Sequence, residues 1–132
     1  MRETLEIFKF LSDETKARIV MLLSNKELNV CQIACELNLS QPLVSKNLST
    51  LYLSGFLNER KDGKRVYYKV NNNLSRNIKL ILKTLYELES KSKVVLNDLQ
   101  TLKDCEEYML KTGKCDVKAI KDFLDKKRNK TI

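Results

Sequence analysis

A helix, a short break, a second helix and then a hairpin is the order of elements that most narrows what this chain can fold into. From Asn29 to Leu37, the residues Val30, Ile33, Ala34 and Leu37 stand at i, i+3, i+4 and i+7, one apolar stripe along a helix. The break Asn38-Leu39-Ser40 follows. Ser40 is a natural N-cap and Pro42 falls in the first turn, where its missing N–H costs nothing, so the next helix runs from Gln41 to Ser54 and stops at Gly55. Beyond it, FLNERKDGKRVYYKV alternates apolar and polar residues on both sides of Asp62-Gly63, the dipeptide of a type I′ hairpin turn. The pattern predicts a helix-turn-helix with a two-stranded wing. At the wing tip Arg60, Lys61, Lys64 and Arg65 are placed to lie along a phosphate backbone.

Upstream, TLEIFKFLSDETKARIVMLLSN carries Leu5, Phe8 and Leu11, then Ile19, Leu22 and Leu23, which reads as two amphipathic helices with Ser12 or Asp13 capping the second. Downstream, Leu74, Ile78, Ile81, Leu85 and Leu88 form a stripe that suits either a helix between subunits or packing within one subunit. The expected fold class is mainly α with a β-hairpin wing. A winged helix-turn-helix for DNA binding and dimerisation spans residues 1–92, and residues 93–132 form a helical extension, broken around Thr112-Gly113, that carries two cysteines.

Composition then restricts function. A chain of 132 residues is one ordinary domain with an appendage, and 25 basic against 17 acidic residues, a net charge of +8, favour a polyanionic partner. The chain has no histidine, so the commonest general base and every histidine-dependent triad are absent. Three glycines leave no glycine-rich phosphate loop. These features argue against an enzyme and against an organic cofactor, and they leave thiolates as the chemistry for any transition metal. No apolar run reaches the ~18 residues that span a bilayer, and no signal-peptide core is present, so a cytoplasmic protein without membrane contact is expected. In that setting four cysteines read as thiols, ligands or sensors rather than structural disulfides.

Cys31 and Cys35 lie four residues apart on the helix that precedes the turn. At 100° per residue they point roughly 110–150° away from its apolar stripe, so they share a face that is not the core face. Two thiols at i, i+4 can converge on one soft ion such as As(III), Sb(III), Cd(II), Pb(II), Cu(I) or Zn(II). In the extension, Cys105 and Cys115 can be distal ligands, a redox pair, or unrelated packing residues.

Over residues 5–90, FKFLSDETKARIVMLLS, ELNVCQIACELNLSQPLVSKNLSTLYLSGFL and ERKDGKRVYYKV resemble the ArsR/SmtB winged-helix repressors, element for element. The resemblance implies a homodimer that leaves operator DNA when a metal ion or oxidant binds, with the fourth helix in the major groove. Gln41, Ser45, Lys46 and Asn47 then become the base- and phosphate-contacting candidates, and Leu43, Val44, Leu48 and Leu51 the core side. Many members carry histidine where Asn47 stands. Arsenic and cadmium sensors of the family carry two cysteines where this chain reads Asn29-Val30-Cys31. Cys31 fills the second position, Asn29 replaces the first, and Cys35 is additional. The expected protein is a dimeric repressor that binds double-stranded operator DNA. Its expected inducer is As(III) or another soft metal ion held by Cys31, Cys35 and a C-terminal cysteine, Cys105 or Cys115. A thiol-redox or reactive-sulfur sensor, and a constitutive DNA-binding protein, are the alternatives.

Overall fold

Local capping signals begin most of the helices of this chain. The computed structural model describes residues 2–89 and 93–112. Helix α1 (Arg2–Leu11) is followed by α2 (Glu14–Leu23), whose N-cap is Asp13; its carboxylate accepts from the Thr15 and Lys16 amides. A two-residue strand, β1 (Leu28–Asn29), leads into α3 (Val30–Leu37), and Asn29 closes a capping box with Gln32. Asn38 ends α3 in the left-handed region at φ 56. Ser40 caps α4 (Gln41–Leu53) by accepting from the Leu43 amide, with Pro42 in the first turn. The wing strands are β2 (Leu57–Asp62) and β3 (Arg65–Val70), and α5 (Arg76–Glu89) and α6 (Lys93–Thr112) complete the described chain.

Two expectations about the wing change. The sheet has three strands in the order β1-β3-β2, because Leu28 pairs with Tyr68 and Asn29 with Tyr67. A strand of two residues has no periodicity to read, so the third strand was invisible in the sequence. The hairpin register pairs Asp62 with Arg65, which leaves Gly63 and Lys64 in the turn. Positive φ occurs at Gly63 alone, 62°, as a type II′ turn requires, and not at both residues of a type I′ turn.

The core runs through Ile19, Leu23, Leu28, Ile33, Leu37, Val44, Leu48, Leu51 and Leu57, all buried. It joins α2, α3, α4 and the base of the wing into one body. Leu102 of α6 belongs to the same cluster, so the first helix after residue 92 packs into the winged-helix body. The described residues end at Thr112, so the expected helix break at Thr112-Gly113 and the rest of the extension lie outside them.

The α5 stripe divides between both expected roles. Leu74, Ile78 and Leu82 pack on the core. Leu80, Ile81, Leu85 and Leu88 instead line an apolar groove with Phe8 and Leu11 of α1, a cavity of about 400 Å³. Phe8 is 52% exposed and Leu88 74%, so this face has no cover among the described residues.

If α6 is part of the cooperative core, Leu102→Ala removes a buried side chain and leaves a cavity. The expected loss is about 2–5 kcal/mol, read as a lower urea midpoint at unchanged slope. A loss of a few tenths would mean that α6 is only loosely attached.

Candidate nucleic-acid interface and cysteine site

Helix α4 turns one face inward and one outward. Val44, Leu48 and Leu51 are buried, while Gln41, Ser45 and Lys46 are exposed. Asn47 goes the other way. It stands three residues after Val44 and four before Leu51, the spacing of one helix face. It is 6% exposed, and its amide donates to the Leu43 carbonyl at 2.9 Å. Asn47 therefore braces the helix from inside and presents no amide to a groove, correcting its expected role as a base contact. Leu43, expected in the core, is 42% exposed beside the outward face. Ser49 is exposed one turn beyond Ser45, a site that the same i, i+4 spacing would have found.

On the wing, Lys61, Lys64 and Arg65 are exposed around the turn. Arg60 is committed locally: its Nε and Nη2 donate to Glu27 Oε1 at 2.9 and 2.6 Å, and its guanidinium lies 4.7 Å from the Tyr67 ring centre. The pair with Arg60 holds the Glu27 carboxyl below its ordinary value. This contact ties β2 to the start of β1 and sets the wing against the body.

The cysteine face of α3 is covered by α6. Cys35 is 2% and Cys105 1% exposed, and the Cys105 thiol donates to Cys35 Sγ at 3.2 Å. Both are thiols rather than disulfides. The hydrogen bond to Cys35 and then burial hold the Cys105 thiol far above its ordinary range, so it stays protonated. The angular reading of the sequence changes at Cys35, which is a buried core residue although it stands outside the main cluster that Ile33, Ala34 and Leu37 join. It missed that a second helix closes over that face. Cys105 lies against Cys35, a contact that the three readings of Cys105 and Cys115 did not name. Cys31 is half-buried and disulfide-bonded. Cys115 lies outside the described residues. Among the described residues no three histidine, cysteine or carboxylate side chains are arranged to hold a metal ion. The expected three-sulfur set is thus not assembled within them; two sulfurs meet.

Further along the seam, Gln32 Nε2 donates to Met109 Sδ at 3.5 Å and Lys26 pairs with Glu106. Arg18 of α2 donates from Nε and Nη2 to both oxygens of Asp98, at 3.0 and 2.8 Å. Glu36, beside Cys35, is 2% exposed, and neither carboxylate oxygen has a hydrogen-bond partner among the described residues. Burial first, and the neighbouring Cys35 second, push its carboxyl up to about 9, so it is neutral at pH 7. Nothing in the sequence marked Glu36, because a glutamate on a polar helix face ordinarily faces solvent.

Residues 13–59 match the family described as bacterial regulatory protein, arsR family. The chain is 46% identical over 67 residues to the arsenic resistance transcriptional regulator ArsR2 of Pseudomonas putida, covering 50% of this chain and 58% of that protein's length. It is 38% identical over 87 residues to ArsR1 of the same organism, covering 63% of this chain and 68% of the relative. Among solved structures, the homodimeric winged helix-turn-helix DNA-binding domain of Mb0332 from Mycobacterium bovis superposes with a TM-score of 0.55 at 25% identity, covering 69% of this chain and 86% of that one.

Glu36 yields a test in pH. Its folded value, about 9, lies above the ordinary glutamate value of 4.5, so the folded chain holds the extra proton between them. The stability attached to this carboxyl is fully present below the lower value and is lost as pH rises toward the upper one. Glu36→Gln, which cannot ionise, should flatten the fall in urea midpoint between about pH 5 and 8.5 under reducing conditions and be relatively more stable at the upper end. An unchanged pH slope would mean that Glu36 ionises freely in the folded protein.

Proposed function

The chain belongs to the arsR family of bacterial regulatory proteins, and from that premise we propose that it is a dimeric, DNA-binding transcriptional repressor. In this reading it leaves its operator when a thiophilic inducer, most directly As(III), binds its cysteine thiolates. The observation that carries the reading is the contact of Cys35 and Cys105 at 3.2 Å, which joins α6 to the first helix of the helix-turn-helix. Relatives named for arsenic resistance support the choice of ion. Soft thiolate sulfur selects soft ions, and in a chain without histidine no imidazole competes. As(III) takes three sulfurs. Cys35 and Cys105 provide two, and in the reduced protein Cys31 or Cys115 provides the third.

DNA contact falls to Gln41, Ser45 and Lys46 on α4, with Lys61, Lys64 and Arg65 of the wing on phosphates. Arg60 orients the wing through Glu27 and adds positive potential. The second copy sits on the α1–α5 groove, whose exposed leucines and Phe8 are an apolar face that no other described residue covers. Pairing there sets two α4 helices at half-sites about one DNA turn apart.

A redox reading is favoured by the same sulfur contact together with the disulfide at Cys31. In it, Cys35 and Cys105 form a disulfide, giving two electrons to a peroxide or polysulfide and releasing two protons.

Operator fragments selected from a random DNA pool allow the test by fluorescence anisotropy. Arsenite should weaken binding of the reduced protein about tenfold or more, in line with typical couplings, and Cys105→Ser should abolish the response while leaving ligand-free affinity within about twofold. Release by peroxide or polysulfide but not arsenite selects the redox reading. No response to any of them leaves a constitutive DNA-binding protein. For the dimer, Leu80→Glu with Leu88→Glu should give monomers by sedimentation and weaken operator binding; a dimer that persists would move the interface elsewhere.

A further inference from the structure

We propose that the Arg18–Asp98 ion pair links the cysteine seam to the recognition helix, making Arg18 the positioning residue through which ligand occupancy reaches α4. The inference rests on the ligand-released repressor reading above and adds the route by which release is transmitted.

Arg18 grips three elements. It is part of α2, it donates to both carboxylate oxygens of Asp98 on α6 at 2.8 and 3.0 Å, and its Nη2 also donates to the Leu37 carbonyl at 3.2 Å. Leu37 is the last residue of α3, and its carbonyl is one of the terminal acceptors that the helix itself cannot satisfy. Three residues later Ser40 caps α4. The guanidinium thus pins the turn of the helix-turn-helix and the C-terminal helix at once. Its planar fork suits this, since a two-oxygen grip fixes direction as well as distance.

Asp98 and Cys105 are seven residues apart on α6, two helical turns with an offset of about 20°, and so lie on one face. Thr101 and Leu102 between them are buried. That face is a single rigid edge laid over α3, with the sulfur contact at one point and the ion pair at another.

The thiols are too buried to bind anything while the seam is closed. Cys35 and Cys105 are 3.2 Å apart and only 2% and 1% exposed, so neither an ion nor a third sulfur reaches them unless α6 moves off α3. An ion entering between them therefore spreads α6 from α3. A stiff helix carries that displacement back to Asp98, whose 4% exposure leaves its charge no solvent to turn to. Either Arg18 follows Asp98 and abandons the Leu37 carbonyl, or the fork breaks. The first outcome removes the Leu37 anchor and the second removes the carboxylate that aims the guanidinium at it, so either loosens the turn that orients α4, and the ligand favours the loosened state by its better fit there.

The test compares wild type with Arg18→Lys, which keeps the charge but cannot span two oxygens and the carbonyl, and with Asp98→Asn. Operator affinity is measured by anisotropy with and without arsenite, and arsenite affinity by the near-ultraviolet absorption of the bound arsenic–sulfur site. In wild type arsenite should weaken operator binding tenfold or more. In both variants that ratio should fall to within about twofold, with arsenite affinity within a few-fold of wild type; a merely structural pair would change stability and leave the ratio intact. Variants that bind arsenite and release DNA at the wild-type ratio overturn the link alone. A wild type that binds no arsenite, or binds it without release, overturns the underlying reading and the link with it. Hydrogen exchange on the wild type covers the case of variants that fail to fold. Arsenite should speed exchange of the amides of residues 38–40, and unchanged exchange there overturns the link.

Discussion

The packing of α6 across α3 is the contact on which the rest of this structure depends. Helix α3 has eight residues, too few to persist by propensity, and it is held by a capping box at one end, a left-handed residue at the other and a neighbour on each face. Its inner face, Ile33, Ala34 and Leu37, meets the core of the helix-turn-helix. Its outer face carries the cysteines and would be solvent surface if α6 were elsewhere. By closing that face, α6 turns two polar-side thiols into a buried contact and adds Leu102 to the core.

Closure sorts the charges of the seam into two kinds. Both oxygens of Asp98 are met by Arg18, a geometry that offsets the cost of removing a carboxylate from water. Glu36 has no such partner and lies at about 9, so it is stored as a neutral acid, and the Cys105 thiol beside it is held protonated as well. The two titratable groups at Cys35 are therefore neutral, while the end nearest the turn is locked by a salt bridge. Thiolate formation would put charge beside those groups; moving α6 would strain the salt bridge.

The candidate nucleic-acid surface is more selective than its composition implies. Of four basic residues at the wing, Arg60 is drawn into Glu27 and Tyr67, which fixes the angle of the hairpin, and Lys61, Lys64 and Arg65 are left around the turn. On α4, Asn47 bonds its own helix, so the outward face is Gln41, Ser45, Lys46 and Ser49.

Much of this was legible in the chain alone. Caps at Asp13 and Ser40, the 3.6-residue stripes of α3 and α4, Pro42 in a first turn and the Asp62-Gly63 hairpin are local signals, set by backbone hydrogen bonds and side chains a few residues apart, and they determined the order of elements and the winged helix-turn-helix. What lies far apart in sequence was decided by tertiary packing. Leu28 and Asn29 become a strand only because β3 passes beside them. Asn47 turns inward because three core leucines and valines already define that face. Cys35 meets Cys105 across 70 residues, and Arg18 meets Asp98 across 80, because α6 folds back over α3. Local periodicity states which face of a helix is apolar; which neighbour covers the other face is a property of the whole fold.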